Sequence, residues 1–300
     1  MNKSFHSNGK LLLTGEYVVL DGAIALAIPT KYGQSLHIEV LEQDELQWTS
    51  LDELGLAWFE ESFTLEDFTP SNPDNKYAIT LSKILREARN LNPDFLKTNR
   101  GLKVKTTLDF PRNWGLGTSS TLINNIAQWA KVDGFTLLNK SFGGSGYDIA
   151  AAQNNSPILY QIKDSTPKTE QTKLSWKFKD SLHFVHLNKK QDSKQGISHY
   201  RNTEVSNTTI QKISVISNQL VQCASLTEFE KLINLHEKII SKTIQIPTIK
   251  SQLFHDYPNA VKSLGAWGGD FVLVTGTAQD MAYFKNKGFN TVVPFEEMSW

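Results

Sequence analysis

The feature that most constrains this chain is a strand, a glycine-rich turn and a helix in direct succession. Apolar and polar residues alternate over residues 102–110, which is the period of a half-buried strand. Apolar residues recur at helical spacing from Leu122 to Ala130. Between these two patterns the chain reads Gly115, Leu116, Gly117, Thr118, Ser119 and Ser120. Glycines let a ligand approach the backbone closely, and the amides and hydroxyls at the start of a helix suit a phosphate group or a magnesium ion.

The same turn has an ordinary interpretation. Serine and threonine cap many helices, and glycine is common in turns that bind nothing. The turn is not a Walker A loop, because no Gly-Lys-Ser/Thr sequence follows the glycines at the required spacing. The turn alone therefore leaves both a phosphate site and a simple helix cap open.

Composition narrows the class of protein. The 300 residues are 39% hydrophobic and 21% charged, which predicts a globular chain with two domains. The 31 basic and 31 acidic residues balance, which argues against a nucleic acid or an anionic membrane as partner. The single Cys223 excludes an internal disulfide and a cysteine-rich zinc site. No apolar run is long enough to span a bilayer, so we expect a soluble cytoplasmic protein.

Three charged residues outside the turn are candidates for chemistry. Lys10 and Glu16 flank an apolar strand, and Asp148 stands near the start of a short helix that follows a second glycine cluster. The ordinary interpretation is that the first two are solvated strand-end charges and that the third is favoured by the helix dipole. The functional interpretation of Asp148 is a carboxylate available as a base or a cation partner. The histidines, His236 among them, show no metal-ligand spacing and are interpreted as core or surface residues.

Periodicity and turn residues predict the remaining elements. Near the N-terminus we expect a turn at residues 8–10 between two short strands and a hairpin at Asp21-Gly22. The predicted helices cover residues 77–89, 205–222, 226–242, 249–262 and 278–287. A third glycine-rich turn, residues 264–270, enters a strand. The polar stretch at residues 163–173 is the predicted domain boundary.

Three glycine motifs follow one another along the chain, Gly9-Lys10 with Gly15-Glu16-Tyr17, then residues 115–120, then residues 265–270. Their order resembles that of the GHMP kinases, named for galactokinase, homoserine kinase, mevalonate kinase and phosphomevalonate kinase. The resemblance covers nearly the whole chain. Residues 144–152 (Gly-Ser-Gly-Tyr-Asp-Ile-Ala-Ala-Ala) and 262–270 (Lys-Ser-Leu-Gly-Ala-Trp-Gly-Gly-Asp) are most similar to the phosphomevalonate kinase branch.

The resemblance implies a two-domain α+β fold with an ATP-binding domain at residues 1–170 and a ferredoxin-like domain at residues 171–300, with the substrate in the cleft between them. It implies that residues 115–120 hold the ATP phosphates, with Ser119 at the magnesium ion. It places Lys10 and Asp148 at the phosphoryl acceptor. The residues that it assigns to substrate binding are Glu16, Gly144, Ser145, Gly146, Gly268, Gly269 and Asp270. It is compatible with a monomer or a homodimer.

The activity implied by the resemblance is ATP-dependent phosphorylation of a small molecule, mevalonate or phosphomevalonate, within isoprenoid biosynthesis. With an alcohol acceptor, Asp148 would take the proton. With a phosphate monoester, the acceptor is already anionic, so cations that neutralise its charge become more important than a base. The candidate cations are Arg112, Lys194 and Lys262.

Departures from the family pattern keep two rival hypotheses open. Trp114 and Trp267 stand where the family has small residues, and residues 135–139 lack the acid that mevalonate kinases use for magnesium. Glu16 or Asp148 would then supply the missing charge. The rivals are an enzyme similar to diphosphomevalonate decarboxylase and a catalytically impaired nucleotide-binding regulator.

Overall fold

The computed structural model describes residues 3–98, 100–189 and 193–300, without the side chains of residues 193–195. The contacts between these residues divide the chain into two compact units. The first unit contains residues 3–9, Tyr32–Arg112 and Leu116–Gln153. The second unit contains Lys10–Lys31, Asn113–Gly115 and Asn154–Trp300. The two N-terminal strands, β1 (Lys3–Leu12) and β2 (Ala25–Val40), run from one unit into the other.

The first unit is a mixed sheet packed against helices. Its strands, besides parts of β1 and β2, are β3 (Leu46–Leu51), β4 (Ala57–Phe63) and β5 (Leu102–Leu108). Strand β3 pairs antiparallel with β4 and parallel with β5, and β5 pairs antiparallel with the second half of β2. The helices are α1 (Lys76–Leu91), α2 (Thr118–Ala130), α3 (Gly134–Ser141) and α4 (Tyr147–Ala152).

Helix α2 is held in the first unit by apolar packing and by a buried polar network. Ile123, Ile126 and Ala127 lie in the unit's hydrophobic core. On the polar side, the Ser7 hydroxyl of β1 donates to Asn125 Oδ1 at 2.8 Å and accepts from Asn124 Nδ2 at 2.8 Å. Because buried polar groups that are fully paired fix one arrangement, this network sets the position of the helix and of the turn that opens it.

The second unit contains two antiparallel arrangements of strands. The first half of β2 pairs with β6 (Ile158–Lys163), which pairs with β7 (Thr166–Gln171). A separate four-stranded antiparallel sheet has the order β11 (Val292–Pro294), β8 (Leu182–His186), β10 (Phe271–Thr275) and β9 (Val261–Ser263). The helices are α5 (Ser193–Tyr200), α6 (Asn207–Gln222), α7 (Leu226–Ile244), α8 (Ile249–Leu253), α9 (Ala282–Asn286) and α10 (Phe295–Met298).

Most of the elements predicted from periodicity are confirmed, including β5, α1, α2, α6 and α7. None of the helices in the described part of the chain has both the length and the hydrophobicity needed to cross a bilayer. The boundary predicted at residues 170–171 falls at the end of β7, inside the second unit, and stays a prediction.

Two predicted turns near the N-terminus are wrong. Residues 8–10 lie inside β1, because Ser7 and Asn8 are buried and the strand is held to α2. The Asp21-Gly22 pair does not join two strands, since Val18–Asp21 form a 3₁₀ turn that Gly22 ends in the left-handed conformation. A buried apolar triplet such as residues 18–20 fits a strand and a short turn equally well, and tertiary packing decides between them.

The helix predicted at residues 249–262 is also wrong. Helix α8 ends at Leu253, and the chain returns as β9, which pairs with β10. Pro258 lies between the two elements, and the residue before a proline disfavours helical backbone. The last predicted helix is shorter than expected, because α9 covers only Ala282–Asn286.

Candidate functional site

The predicted phosphate turn has the backbone geometry that its glycines allow. Gly115 and Gly117 have φ angles of 68° and 96°, in the left-handed region that favours glycine. Gly117 is the N-cap of α2, so the N-cap residue offers no side-chain acceptor to the first amides of the helix. Ser119 is exposed, whereas the Ser120 hydroxyl donates to Gly117 O at 2.8 Å and serves the turn itself. Amides at a helix start and an exposed hydroxyl form an arrangement that an anion can occupy.

The buried residues of the turn support its shape. Leu116 is fully buried, and Thr118, the first residue of α2, is half-buried. The buried Leu116 side chain anchors the turn between its two left-handed glycines. The hydroxyls of Thr118 and Ser119, which are neighbours in the chain, are hard oxygen ligands of the kind that magnesium prefers.

Lys10 and the third glycine turn meet the phosphate turn at Gly115, inside the second unit. The Lys10 ammonium donates to Gly115 O at 2.8 Å. A Cβ atom placed on Gly115 would overlap the carboxyl group of Asp270. Position 115 therefore requires glycine for two reasons, the positive φ angle and the closeness of Asp270. Lys10, Gly115 and Asp270, one residue from each of the three motifs, therefore lie together although they are far apart in the sequence.

The third turn is anchored through the backbone of Asp270. Its N–H donates to Lys189 O and its carbonyl accepts from Leu187 N, both at 2.7 Å. Gly268 has a φ angle of 93°, and Gly269 beside it is buried. These bonds tie the end of the turn to the chain that leaves β8, so the Asp270 side chain starts from a fixed backbone position.

The two tryptophans that depart from the family pattern are both accommodated. The Trp267 indole is buried, and its Nε1 donates to Pro247 O at 3.0 Å. Its backbone N–H donates to the Tyr17 hydroxyl, also at 3.0 Å. Trp114 packs edge-on against Phe271, with ring centroids 5.4 Å apart. Each ring therefore has a packing role within the second unit.

Asp148 lies on a short helix in the first unit. Gly144 and Gly146 have φ angles of 121° and 87°, and Gly146 is the N-cap of α4. Asp148 is the second residue of that helix and is half-buried, as is Ser145 before it. Its Oδ1 accepts from the N–H of Ile149 at 3.1 Å. Helix α4 packs against α2, so this carboxylate stands on a helix that contacts the one carrying the phosphate turn.

Glu16 occupies a different environment from the one predicted. Its side chain is fully buried, and its Oε1 is paired with the ammonium of Lys262, which is also fully buried. Burial raises the pKa of Glu16 to about 7 against the opposing effect of Lys262. This burial favours a structural role for Glu16 over the predicted contact with a substrate.

The other predicted cations differ in their surroundings. Arg112 places its guanidinium 3.7 Å from the centre of the Trp58 ring, in the first unit. The Lys262 ammonium is occupied by buried carboxylates, so a role toward a phosphate acceptor is disfavoured. The side chain of Lys194 lies outside the described residues.

The residues present fit a nucleotide-bound magnesium ion better than an ion held by protein alone. In the part of the chain that the structure describes, no group of three or more His, Cys, Asp or Glu side chains could hold a metal. Magnesium usually keeps several waters and binds phosphate oxygens with one or two protein ligands. The exposed hydroxyl of Ser119 at the start of α2 is suited to be such a ligand.

Sequence reasoning missed the partners of Glu16. His236 and Glu237 are buried on α7, where Ile233, Ile240 and Ile244 form the apolar stripe. The signal was present in the sequence, because a polar pair that falls on an apolar helical stripe is buried and needs partners.

Comparison with known proteins identifies the fold. No family model matches the sequence, and no curated protein sequence matches it. Among solved structures, Methanococcus jannaschii mevalonate kinase has a TM-score of 0.71 at 14% identity, covering 97% of each chain. Streptococcus pneumoniae phosphomevalonate kinase, in complex with phosphomevalonate and AMPPNP, has a TM-score of 0.68 at 17% identity, covering 95% of each chain. Lactococcus lactis galactokinase, complexed with galactose, has a TM-score of 0.66 at 13% identity, covering 95% of this chain and 88% of that chain.

These similarities establish a two-domain α+β fold of the GHMP kinase type, as the order of the three glycine motifs predicted. The similar structures include kinases of different acceptors, so the fold alone does not select a substrate. The roles assigned to individual site residues stay predictions.

Proposed function

We propose that this protein is an ATP-dependent phosphotransferase of the GHMP type and that its acceptor is mevalonate or phosphomevalonate. The observation that carries the proposal is the meeting of the three glycine motifs at Gly115. There the Lys10 ammonium reaches the Gly115 carbonyl, Asp270 lies against the same residue, and Gly117 opens α2 two residues later.

ATP is the proposed phosphoryl donor because the start of α2 offers what a polyphosphate requires. The N-cap glycine leaves the first amides of the helix available, and the helix dipole adds positive potential there. A structurally similar kinase was crystallised with AMPPNP, an analogue of ATP, which supports the same choice. Magnesium, when bound, would neutralise phosphate charge beside Ser119.

Lys10 is proposed to neutralise charge at the acceptor oxygen during the transfer. Phosphoryl transfer requires positioning and charge compensation rather than covalent participation of the protein. The bond from the Lys10 ammonium to Gly115 O holds this cation at the phosphate turn. A fixed cation that meets charge developing in the transition state accelerates the chemical step without a matching gain in substrate affinity.

Asp148 is proposed to serve the acceptor. With an alcohol such as mevalonate, its carboxylate would accept the hydroxyl proton. With phosphomevalonate, the acceptor oxygen is already anionic and no proton needs to be removed. The two acceptors therefore make different demands on the same residue.

The proposal is tested with an acceptor panel. Mevalonate, phosphomevalonate, homoserine and galactose are each incubated with magnesium and ATP, and ADP and phosphorylated product are both measured. We expect ADP and product in equal amounts with mevalonate or phosphomevalonate. Nucleotide binding without ADP release on any acceptor would instead favour the regulator, and carbon dioxide release from diphosphomevalonate would favour the decarboxylase.

A further inference from the structure

A cluster of four titratable side chains is buried inside the second unit, away from the phosphate turn. Glu16 follows β1, His236 and Glu237 lie on α7, and Lys262 lies on β9. The side chains of Glu16, His236 and Lys262 are 0% exposed, and that of Glu237 is 4% exposed. None of the four has a part in the proposed chemistry, so the cluster requires its own explanation.

The donors of Lys262 are all accounted for. Its ammonium carries three protons and has three acceptors, which are Glu16 Oε1, the carbonyl of Ser263 and Glu237 Oε1, the last at 3.2 Å. Glu237 accepts two further bonds, from the N–H and the hydroxyl of Ser263, each at 3.1 Å. Three donors to one carboxyl group stabilise Glu237 as a carboxylate, and the pair of Lys262 and Glu237 is neutral overall.

The second oxygen of Glu16 has the opposite environment. Among the described residues, Glu16 Oε2 is buried with no hydrogen-bond partner, and its nearest titratable neighbour is His236 Nε2 at 3.3 Å. That ring nitrogen accepts the N–H of Gly15 at 3.0 Å, so it carries no proton of its own. The ring proton is then on Nδ1, which is also buried without a hydrogen-bond partner among the described residues. In the described part of the chain, an ionised Glu16 would therefore bury an oxygen that faces no donor across this 3.3 Å, which is unfavourable unless Oε2 itself carries a proton.

The charge count leads to the same conclusion. With His236 neutral, two ionised carboxylates against one ammonium would leave an uncompensated negative charge in the interior, which is costly. One carboxyl group must hold a proton, and Glu237 with its three donors is the less suitable of the two. Burial raises the pKa of both carboxyl groups, that of Glu16 to about 7, and the Ser263 donors oppose the rise only at Glu237. Burial and the charge of Lys262 lower the pKa of His236 well below its usual value.

We propose that Glu16 is a positioning residue, held as a neutral carboxylic acid that accepts from Lys262 and donates its proton to His236 Nε2, sharing the single lone pair of that nitrogen with the N–H of Gly15. In this state Glu16 connects the first glycine motif to the strand that leads into the third. Its neighbour Tyr17 reinforces the link, because the Tyr17 hydroxyl accepts the N–H of Trp267 at 3.0 Å. Two consecutive residues of the first motif thus hold both ends of the segment from Lys262 to Trp267.

The groups that face Glu16 come from each element packed around it. They are Lys262 of β9, His236 and Glu237 of α7, and Tyr17 next to it in the chain. Ionisation of Glu16 would place its new charge beside the unprotonated Nε2 of His236, which has no proton to donate, and beside the carboxylate of Glu237. We therefore expect loss of the proton to weaken the link between the first motif and the third.

The test compares Glu16→Gln with Glu237→Gln, since both changes replace a buried carboxyl group by an amide of the same shape. A glutamine at position 16 can accept from Lys262 and donate to His236, so we expect its melting temperature to stay near that of the wild type at pH 5, where Glu16 holds its proton. Loss of the Glu237 charge leaves Lys262 without its anion, so we expect a large fall in melting temperature. The reverse order, or an equal fall in both variants, would overturn the proposal.

Two spectroscopic measurements on the full chain test the proton itself. We expect an infrared carbonyl band of a buried protonated carboxyl group at pH 5, which Glu16→Gln removes. We also expect nitrogen chemical shifts that place the His236 proton on Nδ1. A band that persists in the variant, or a His236 proton on Nε2, would contradict the assignment.

The kinetic part of the test rests on the proposed function. If the acceptor panel yields a substrate, we expect the wild-type turnover to fall as pH rises past about 7 relative to that of Glu16→Gln. If no acceptor yields ADP, the proposed function fails, while the melting and infrared results still decide whether Glu16 holds the proton.

Discussion

Replacing Gly115 by alanine tests the meeting point of the three motifs. The φ angle of Gly115 is 68°, and a left-handed backbone costs a residue with a Cβ about 1–2 kcal/mol. The new Cβ would also overlap the Asp270 carboxyl group, whose backbone is held by two hydrogen bonds. Overpacking of this kind typically costs about 1–3 kcal/mol. We therefore expect Gly115→Ala to lower the free energy of unfolding by about 2–5 kcal/mol in total.

Gly55→Ala is the matched control. Gly55 has a φ angle of 77°, and a Cβ placed there meets nothing within 4 Å. Gly55→Ala should therefore lower the free energy of unfolding only by the cost of the left-handed backbone, about 1–2 kcal/mol. Urea unfolding of the two variants measures the difference directly. If Asp270 rotates away to make room, the two variants will be equally stable, but Gly115→Ala will still lose turnover because the carboxyl group has moved. Equal stability together with wild-type turnover would refute the reasoning.

Three further predictions follow from individual side chains. Ser119→Ala should weaken the binding of magnesium and ATP and leave the melting temperature unchanged, because Ser119 is exposed and Gly117, not Ser119, is the N-cap. A lower melting temperature with normal affinity would show that Ser119 has a structural role instead. Asp148→Asn should reduce turnover about 10²–10⁴-fold on an alcohol acceptor and less on a phosphate acceptor. Full turnover of the variant on an alcohol would show that Asp148 is only a charge at the end of a helix. Because the folded-state pKa of Glu16 is raised to about 7 from 4.5, its stabilising effect is complete below pH 4.5 and is lost as pH rises through about 7. The stability of the wild type relative to Glu16→Gln should therefore fall by on the order of 3 kcal/mol over that window in urea unfolding, and parallel curves would contradict it.

Local patterns predicted those elements whose structure is decided locally. The alternation before the phosphate turn and the helical spacing after it reproduce β5 and α2, because the buried side of each element is visible in a few consecutive residues. The glycines at positions 115 and 117 likewise signalled positive φ angles, which other residues rarely adopt.

Contacts between distant parts of the chain could not be predicted in the same way. The pairing of Lys262 with Glu16 joins residues 246 positions apart, and neither local sequence indicates the other. The same holds for the turn expected at residues 8–10, where a hydrogen bond from Ser7 to Asn125 in α2 accompanies the extended strand. Turn residues express a local preference, which tertiary contacts of this kind override.

The central claim, phosphoryl transfer at the meeting point of the three motifs, is tested most directly by measuring product formation in two lysine variants. Lys10→Met removes the ammonium bonded to Gly115 O, and Lys31→Met removes an exposed ammonium bonded to another backbone carbonyl, that of Glu296. ADP and phosphorylated acceptor are measured together with the affinity for ATP. We expect Lys31→Met to match the wild type, and Lys10→Met to lose about 10²–10³-fold in turnover with little change in ATP affinity. Equal turnover in the wild type and Lys10→Met would contradict the account.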